Sequence, residues 1–143
     1  MGEAKVAVDG AVIGSIGQGL LILVGIAPGD SEEDGDWLAG KLARMRVFPD
    51  AEGRMNLSVA GIGGGVMVIS QFTLFATTAK GNRPSFTAAA GPDLAIPLYE
   101  KFVARMSQEL GKPVATGRFG ADMAVTLRNE GPVTIIMDSK TRE

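Results

Sequence analysis

The chain of 143 residues contains neither histidine nor cysteine. Without histidine, it lacks the side chain best suited to proton transfer near neutral pH. Ser-His-Asp and Cys-His nucleophile systems are therefore excluded, as are zinc sites built from histidine and cysteine. Without cysteine, disulfides and thiolate chemistry are excluded as well. Any catalysis must use carboxylates, lysine, hydroxyls, backbone N–H groups or groups of the substrate.

The sequence also lacks a long apolar run. The longest one, residues 20–27, has the length of a strand and is too short to span a bilayer. Residues 1–5 contain no basic region followed by an apolar stretch, so they predict no secretory signal. Together these features favour a cytoplasmic protein without a membrane partner.

Positive charge is not in excess either, because the net charge is −2. General RNA-binding domains are basic overall, so any contact with RNA must be local. The nearest approaches to basic patches are Lys80 with Arg83, and Arg118 with Arg128. The alternative is that all four are ordinary solvated surface charges.

Length and a hydrophobic content of 45% predict one domain, residues 1–143, with a hydrophobic core. Apolar periodicity predicts two helices, beginning near Ser31 and Gly91. Short turns join most predicted strands, which favours antiparallel pairing. We therefore expect an α+β fold of mostly antiparallel strands, forming a barrel-like pair of sheets with the two helices packed outside. The predicted strands are residues 5–9, 11–16, 20–27, 47–48, 66–70, 123–127 and 133–137.

A polar segment, residues 70–74, follows the apolar strand 66–70. Ser70, Gln71 and Thr73 offer hydroxyls, an amide and backbone N–H groups to a polar ligand. Backbone donors at such a corner could form an oxyanion hole. The alternative is a strand end with a capped turn.

A second segment, residues 129–134, contains Gly131-Pro132 between two predicted strands. A Gly-Pro pair in a strand connection is common and favours a simple hairpin turn. The other possibility is a functional turn with a cis peptide bond. Nothing local in the sequence decides the isomer.

Both segments match signature segments of the D-aminoacyl-tRNA deacylase family, which this chain resembles. Three further segments, residues 48–57, 81–86 and 116–123, resemble family blocks in the same order. The similarity extends from Ala4 to Met137. Five segments in register are far more specific than any one of them.

The resemblance implies an enzyme that hydrolyses the ester bond of D-aminoacyl-tRNA, and of glycyl-tRNA mischarged on tRNA-Ala. Ser70, Gln71, Phe72 and Thr73 would line the scissile ester, and backbone N–H groups would polarise its carbonyl. No histidine is available to activate Thr73. We therefore expect the terminal ribose 2′-OH to assist the attack of water.

The resemblance further implies a homodimer without a metal or another cofactor. Gly131 and Pro132, joined by a cis peptide, would reach into the partner's active site and hold the substrate's amino group. An L side chain would clash there, whereas D side chains and glycine would fit. Phe119 and Met123 would hold the 3′ terminal adenosine of the tRNA, the alternative for both being core packing.

One feature departs from the family pattern, which begins with a further strand carrying Gln-Arg-Val before Ala4. Met1 falls just after the expected end of that strand, whose arginine would brace the Gly131-Pro132 turn. We expect a start site assigned too late, or a truncated chain. The alternative function is a non-catalytic module that binds RNA ends or a small ligand. An unrelated metabolic enzyme on a similar scaffold is disfavoured by the lack of histidine.

Overall fold

The computed structural model describes residues 1–142, which form an α+β fold and confirm the predicted fold class. No helix among these residues is both long enough and apolar enough to cross a membrane. The helices are α1 (Glu32–Arg44) and α2 (Pro92–Leu110), and a 3-10 turn occupies Phe72–Leu74. The strands are β1 (Glu3–Val8), β2 (Ala11–Ile16), β3 (Gly19–Val24), β4 (Phe48–Pro49), β5 (Met55–Leu57), β6 (Gly65–Ser70), β7 (Ala115–Thr116) and β8 (Met123–Arg128).

The first sheet has the strand order β2-β1-β8 and is antiparallel throughout, as the sequence predicts. Its hairpin turns at Asp9 and Gly10, whose φ angles are 52° and 78°. Two consecutive left-handed residues give a turn whose twist matches that of the flanking strands. The Asp-Gly pair of the sequence is therefore the direct cause of this hairpin.

The second sheet has the order β3-β6-β7 and is parallel, so the expectation of antiparallel pairing is wrong here. Residues 25–64 carry the chain from the end of β3 back to the start of β6, and α1 lies within this connection. Such a crossover is what parallel pairing requires. The prediction of antiparallel pairing came from short turns in the sequence. It failed here because local turn signals do not reveal which strands pair with each other.

The strand predicted over residues 133–137 does not form. Its backbone belongs to no ladder, and Ile135 and Ile136 are 51% and 95% exposed. Within residues 1–142, no strand pairs with the outer edge of β3 either, although Met1 exchanges two hydrogen bonds with Gly19. An apolar cavity of about 680 Å³ separates β3 from residues 133–137. A segment with strand-forming residues becomes a strand only where a neighbour supplies backbone partners.

No closed barrel is found among the strands of residues 1–142, so the barrel-like arrangement stays a prediction. β6 lies between two hydrophobic cores instead. Val66 and Val68 face the helices, whereas Met67 and Ile69 face β1 of the first sheet. The Tyr99 hydroxyl of α2 donates to the Val68 carbonyl at 3.2 Å. These contacts fix β6, and β6 carries Ser70 at its end.

Candidate active site

The corner formed by residues 70–73 lies where two parallel strands end side by side. Ser70 is the last residue of β6 and pairs with Val24, the last residue of β3. The Gln71 N–H then donates to the Val24 carbonyl at 2.7 Å, and the chain leaves the sheet. Polar groups at the carboxyl ends of parallel strands face outward from the core, where ligands commonly bind.

The 3-10 turn that follows leaves two backbone donors without acceptors. Leu74 donates to the Gln71 carbonyl at 3.2 Å, and Phe75 donates to the Phe72 carbonyl at 3.0 Å. The N–H groups of Phe72 and Thr73 have no acceptor within residues 1–142. The first N–H groups of any helical turn lack partners in the turn itself. They are therefore available to bind a negatively charged oxygen.

The side chains of the corner offer hydrogen bonds but no strong base. Gln71 Nε2 donates to Thr73 Oγ1, and an amide cannot take up the hydroxyl proton. No carboxylate or lysine within the described chain hydrogen-bonds to Thr73. The same part of the chain contains no cluster of three acidic side chains placed to hold a metal ion. The geometry thus favours Thr73 as a polar contact rather than as an activated nucleophile.

An aromatic pair flanks the corner and was not anticipated from the sequence. Phe72 is 58% exposed, and its ring lies 5.3 Å from that of Phe86 in an edge-to-face arrangement of 80°. Phe86 directly follows a loop closed by two backbone hydrogen bonds between Thr77 and Ser85. The pair therefore attaches the loop to the corner. Its only sequence signal is a phenylalanine at the end of a polar segment.

Gly25, immediately after β3, also supports the corner. A Cβ atom at this position would lie 2.9 Å from the Phe75 ring and 3.1 Å from the Gln71 carbonyl oxygen. Such distances are shorter than ordinary van der Waals contacts. The sequence shows only a glycine after an apolar run, which does not reveal the close approach.

Phe119 and Met123 pack against different cores. The Phe119 ring lies 5.7 Å from that of Tyr99, within the core beneath the helices. Met123, the first residue of β8, packs against the core between the sheets. Both side chains are only half-buried. Core packing therefore buries only part of each side chain, and the contact of Phe119 and Met123 with adenine stays a prediction.

The Gly131–Pro132 peptide is cis and lies in an exposed turn. Gly131 has a φ of 129°, a conformation that only glycine adopts readily. The Asn129 side chain holds the turn together from within: its Nδ2 donates to Thr134 Oγ1 at 3.0 Å, and its Oδ1 accepts from the Val133 N–H at 3.4 Å. Arg128 Nε forms an ion pair with Glu130 Oε1 at 3.1 Å.

These observations define an α+β protein with a histidine-free corner of backbone donors. Residues 1–138 match the model of the family described as D-Tyr-tRNA(Tyr) deacylase. Two proteins named D-aminoacyl-tRNA deacylase, from Flavobacterium johnsoniae and Akkermansia muciniphila, are 55% and 57% identical to this chain. Each match covers 99% of this chain and 94% of the relative.

Two solved structures share the fold. One, named c-Myc DNA Unwinding Element Binding Protein, has a TM-score of 0.84 and 35% identity, covering 93% of this chain and 90% of its own. The other, described as a probable eukaryotic D-amino acid tRNA deacylase, has a TM-score of 0.75 and 17% identity. It covers 91% of this chain and 90% of its own. The class is therefore that of the tRNA deacylases, which are enzymes. This chain belongs to the D-Tyr-tRNA(Tyr) deacylase family.

Proposed function

We propose that this protein hydrolyses the ester bond of D-aminoacyl-tRNA and releases free tRNA and the D-amino acid. The observation that carries the proposal is the pair of unpartnered N–H groups of Phe72 and Thr73, at a corner whose sequence matches the family. These donors would bind the ester carbonyl oxygen as it becomes negatively charged. Removing one such donor typically costs about 10²–10³ in kcat.

The chemistry needs a nucleophile, and water fits the corner better than Thr73. In the proposed reaction a water oxygen bonds to the ester carbon, and the bond to the ribose 3′ oxygen breaks. The neighbouring 2′-OH relays the water proton to the departing 3′ oxygen. Ser70 and Gln71 contribute polar contacts around the ester, and Phe119 and Met123 hold the terminal adenine.

Selection against L-amino acids would come from the Gly131-Pro132 turn of a partner subunit. Its carbonyl oxygens would accept from the substrate amino group, so that an L side chain points into backbone. The turn is exposed and braced by Asn129, which suits a contact made outside its own subunit. Glycine has no side chain to clash, so glycyl-tRNA mischarged on tRNA-Ala would also be cleaved.

The decisive experiment follows ester loss from D-Tyr-tRNA and L-Tyr-tRNA in parallel. We expect rapid loss of the D ester and no acceleration for the L ester. Equal cleavage of both would refute selection by chirality. Cleavage of neither would refute the proposed activity.

The role of Thr73 is tested by comparing Thr73→Ala with Thr78→Ala, a threonine on the exposed loop. With water as the nucleophile, Thr73→Ala should keep kcat within about tenfold of the unsubstituted protein. Thr78→Ala should leave kcat unchanged. A loss of about 10³-fold or more in a folded Thr73→Ala protein would assign the attack to the Thr73 hydroxyl.

A non-catalytic binding module is the second candidate, because one structural relative at 35% identity is named for DNA binding. The same assay distinguishes the two functions. Tight binding of tRNA without ester loss from either substrate would support the binding module.

A further inference from the structure

Negative charge is absent from the part of the sequence that builds the corner. The chain has 16 acidic residues, yet residues 53–92 contain no aspartate or glutamate. The same stretch contains Arg54, Lys80 and Arg83. The overall charge of −2 therefore conceals a local excess of positive charge beside residues 70–74.

Lys80 and Arg83 lie on one closed loop. Thr77 donates to the Ser85 carbonyl at 2.9 Å, and Ser85 donates back at 2.8 Å, which closes the loop at its base. Both cations are exposed on it. The loop is attached to the corner on both sides, since Phe86 contacts Phe72 and Thr77 follows Thr73 by four residues. Four residues span at most about 14 Å, so the base of the loop lies near the corner.

These two cations also lack acidic partners. Within residues 1–142, no carboxylate lies within 4.0 Å of either side chain. Arg54, by contrast, pairs with Glu52 at 3.6 Å. The other basic pair noted in the sequence, Arg118 and Arg128, does not offer two unpaired cations, because Arg128 forms an ion pair with Glu130. Lys80 and Arg83 are therefore available to an anionic ligand.

We propose that Lys80 and Arg83 bind backbone phosphates of the tRNA acceptor end while its terminal ester lies at residues 70–73. This inference rests on the proposed function and adds the phosphate-binding residues to it. Lysine offers a mobile charge and arginine a planar fork of donors, and both suit phosphate oxygens. Contacts to phosphate position the RNA without reading its sequence. They explain how an acidic protein can hold RNA.

The test compares two substrates for the double variant Lys80→Ala/Arg83→Ala. One is D-Tyr-tRNA, and the other is 3′-O-(D-tyrosyl)adenosine, which has the ester but no phosphate. We expect kcat/KM on the tRNA to fall about tenfold or more at low salt, whereas the nucleoside ester is cleaved as before. The slope of log(kcat/KM) against log[salt] should also flatten, by about 0.7 for each single-strand phosphate that the variant no longer neutralises.

A matched control, Lys5→Ala/Lys41→Ala, removes two exposed cations from other parts of the surface. It should leave both activities and the salt slope nearly unchanged. An equal loss by both double variants would overturn the proposal, because it would reflect net charge alone. Equal loss on both substrates by the Lys80/Arg83 variant would overturn it too, since the loop would then act on the reaction rather than on phosphate.

A binding measurement separates this inference from the proposed activity. Fluorescence anisotropy with an unacylated tRNA transcript reports phosphate contacts even if no ester is cleaved. We expect the Lys80/Arg83 variant to bind about tenfold more weakly, with a shallower salt dependence, than the Lys5/Lys41 variant. Identical binding by the two variants, or no binding by the unsubstituted protein, would refute the phosphate contact.

Discussion

Asp34 is the only buried carboxylate within residues 1–142, with 5% of its surface exposed. It joins the start of α1 to the C-terminal tail. Its Oδ2 accepts from the Ser31 N–H at 2.9 Å and from Lys140 Nζ at 2.8 Å. The Lys140 hydrogen bond is the main cause that lowers the pKa of Asp34 to about 2, and the Ser31 N–H is the next. The charged form is therefore the one that the fold stabilises.

The pH dependence of stability follows from this shift. Because the folded-state pKa is below the ordinary value of 3.8, the contribution of Asp34 is complete above that pH and is lost as the pH falls towards 2. Asp34→Asn should lower the free energy of unfolding near pH 7 by about 1–2 kcal/mol, after allowance for the half-exposed Lys140. Urea denaturation between pH 7 and pH 2.5 measures both effects.

Asp122→Asn is the control, since Asp122 is exposed and makes no ion pair among the described residues. It should leave the free energy of unfolding nearly unchanged. The difference between Asp34→Asn and the unsubstituted protein should shrink between pH 4 and pH 2.5. A difference that stays constant over this range would show that the charge of Asp34 is not what stabilises the fold.

At the scale of the elements, the parallel ends of β3 and β6 position the corner. Gly25 lets the chain after β3 pass close to Phe75 and to the Gln71 carbonyl. The conformation of the corner thus depends on a neighbouring residue that has no side chain. A substitution at Gly25 should therefore displace the backbone donors of Phe72 and Thr73, although Gly25 makes no contact with substrate in the proposed reaction.

Gly25→Ala should therefore impair stability and activity together. The added methyl group forces Phe75 or Gln71 to move, at a cost of about 1–3 kcal/mol. We expect kcat on D-Tyr-tRNA to fall about tenfold, because small displacements of catalytic donors are costly. Gly29→Ala is the matched control, since a Cβ at Gly29 meets nothing within 4 Å. Thermal melting and deacylation assays that fail to distinguish the two variants would contradict this account.

At the scale of the whole molecule, several large apolar side chains remain exposed in the single chain. Soluble monomers seldom expose large contiguous apolar patches, so such surfaces often mark interfaces. Exposed side chains near the corner and the Gly131-Pro132 turn fit a proposed dimer in which each subunit completes the partner's site. They are Phe72, Leu74, Leu127, Val133, Ile135 and Ile136.

A site shared between subunits makes activity depend on protein concentration. Specific activity on D-Tyr-tRNA should fall on dilution, over the same range in which sedimentation velocity shows the dimer dissociating. Preference for the D ester should fall with it, because in the proposed dimer the selecting turn comes from the partner. A monomer that retains full activity and selectivity at every concentration would contradict the shared site.

The sequence by itself determined the features that depend on neighbouring residues. Asp9 and Gly10 specify the first hairpin, Ser31 begins α1 with Asp34 in its first turn, and apolar spacing gives α2. The two signature segments with their companions led to the family. The absence of histidine limited the chemistry before any fold was known.

Only the tertiary structure decided what depends on distant residues. It paired β3 with β6 in parallel, left residues 133–137 outside any ladder, and brought Lys140 to Asp34 across 106 positions. It also placed Phe86 against Phe72 and Gly25 beneath Gln71. Local patterns cannot foretell such contacts, because a segment's own residues fix its preferred conformation but its backbone and side-chain partners come from elsewhere in the fold.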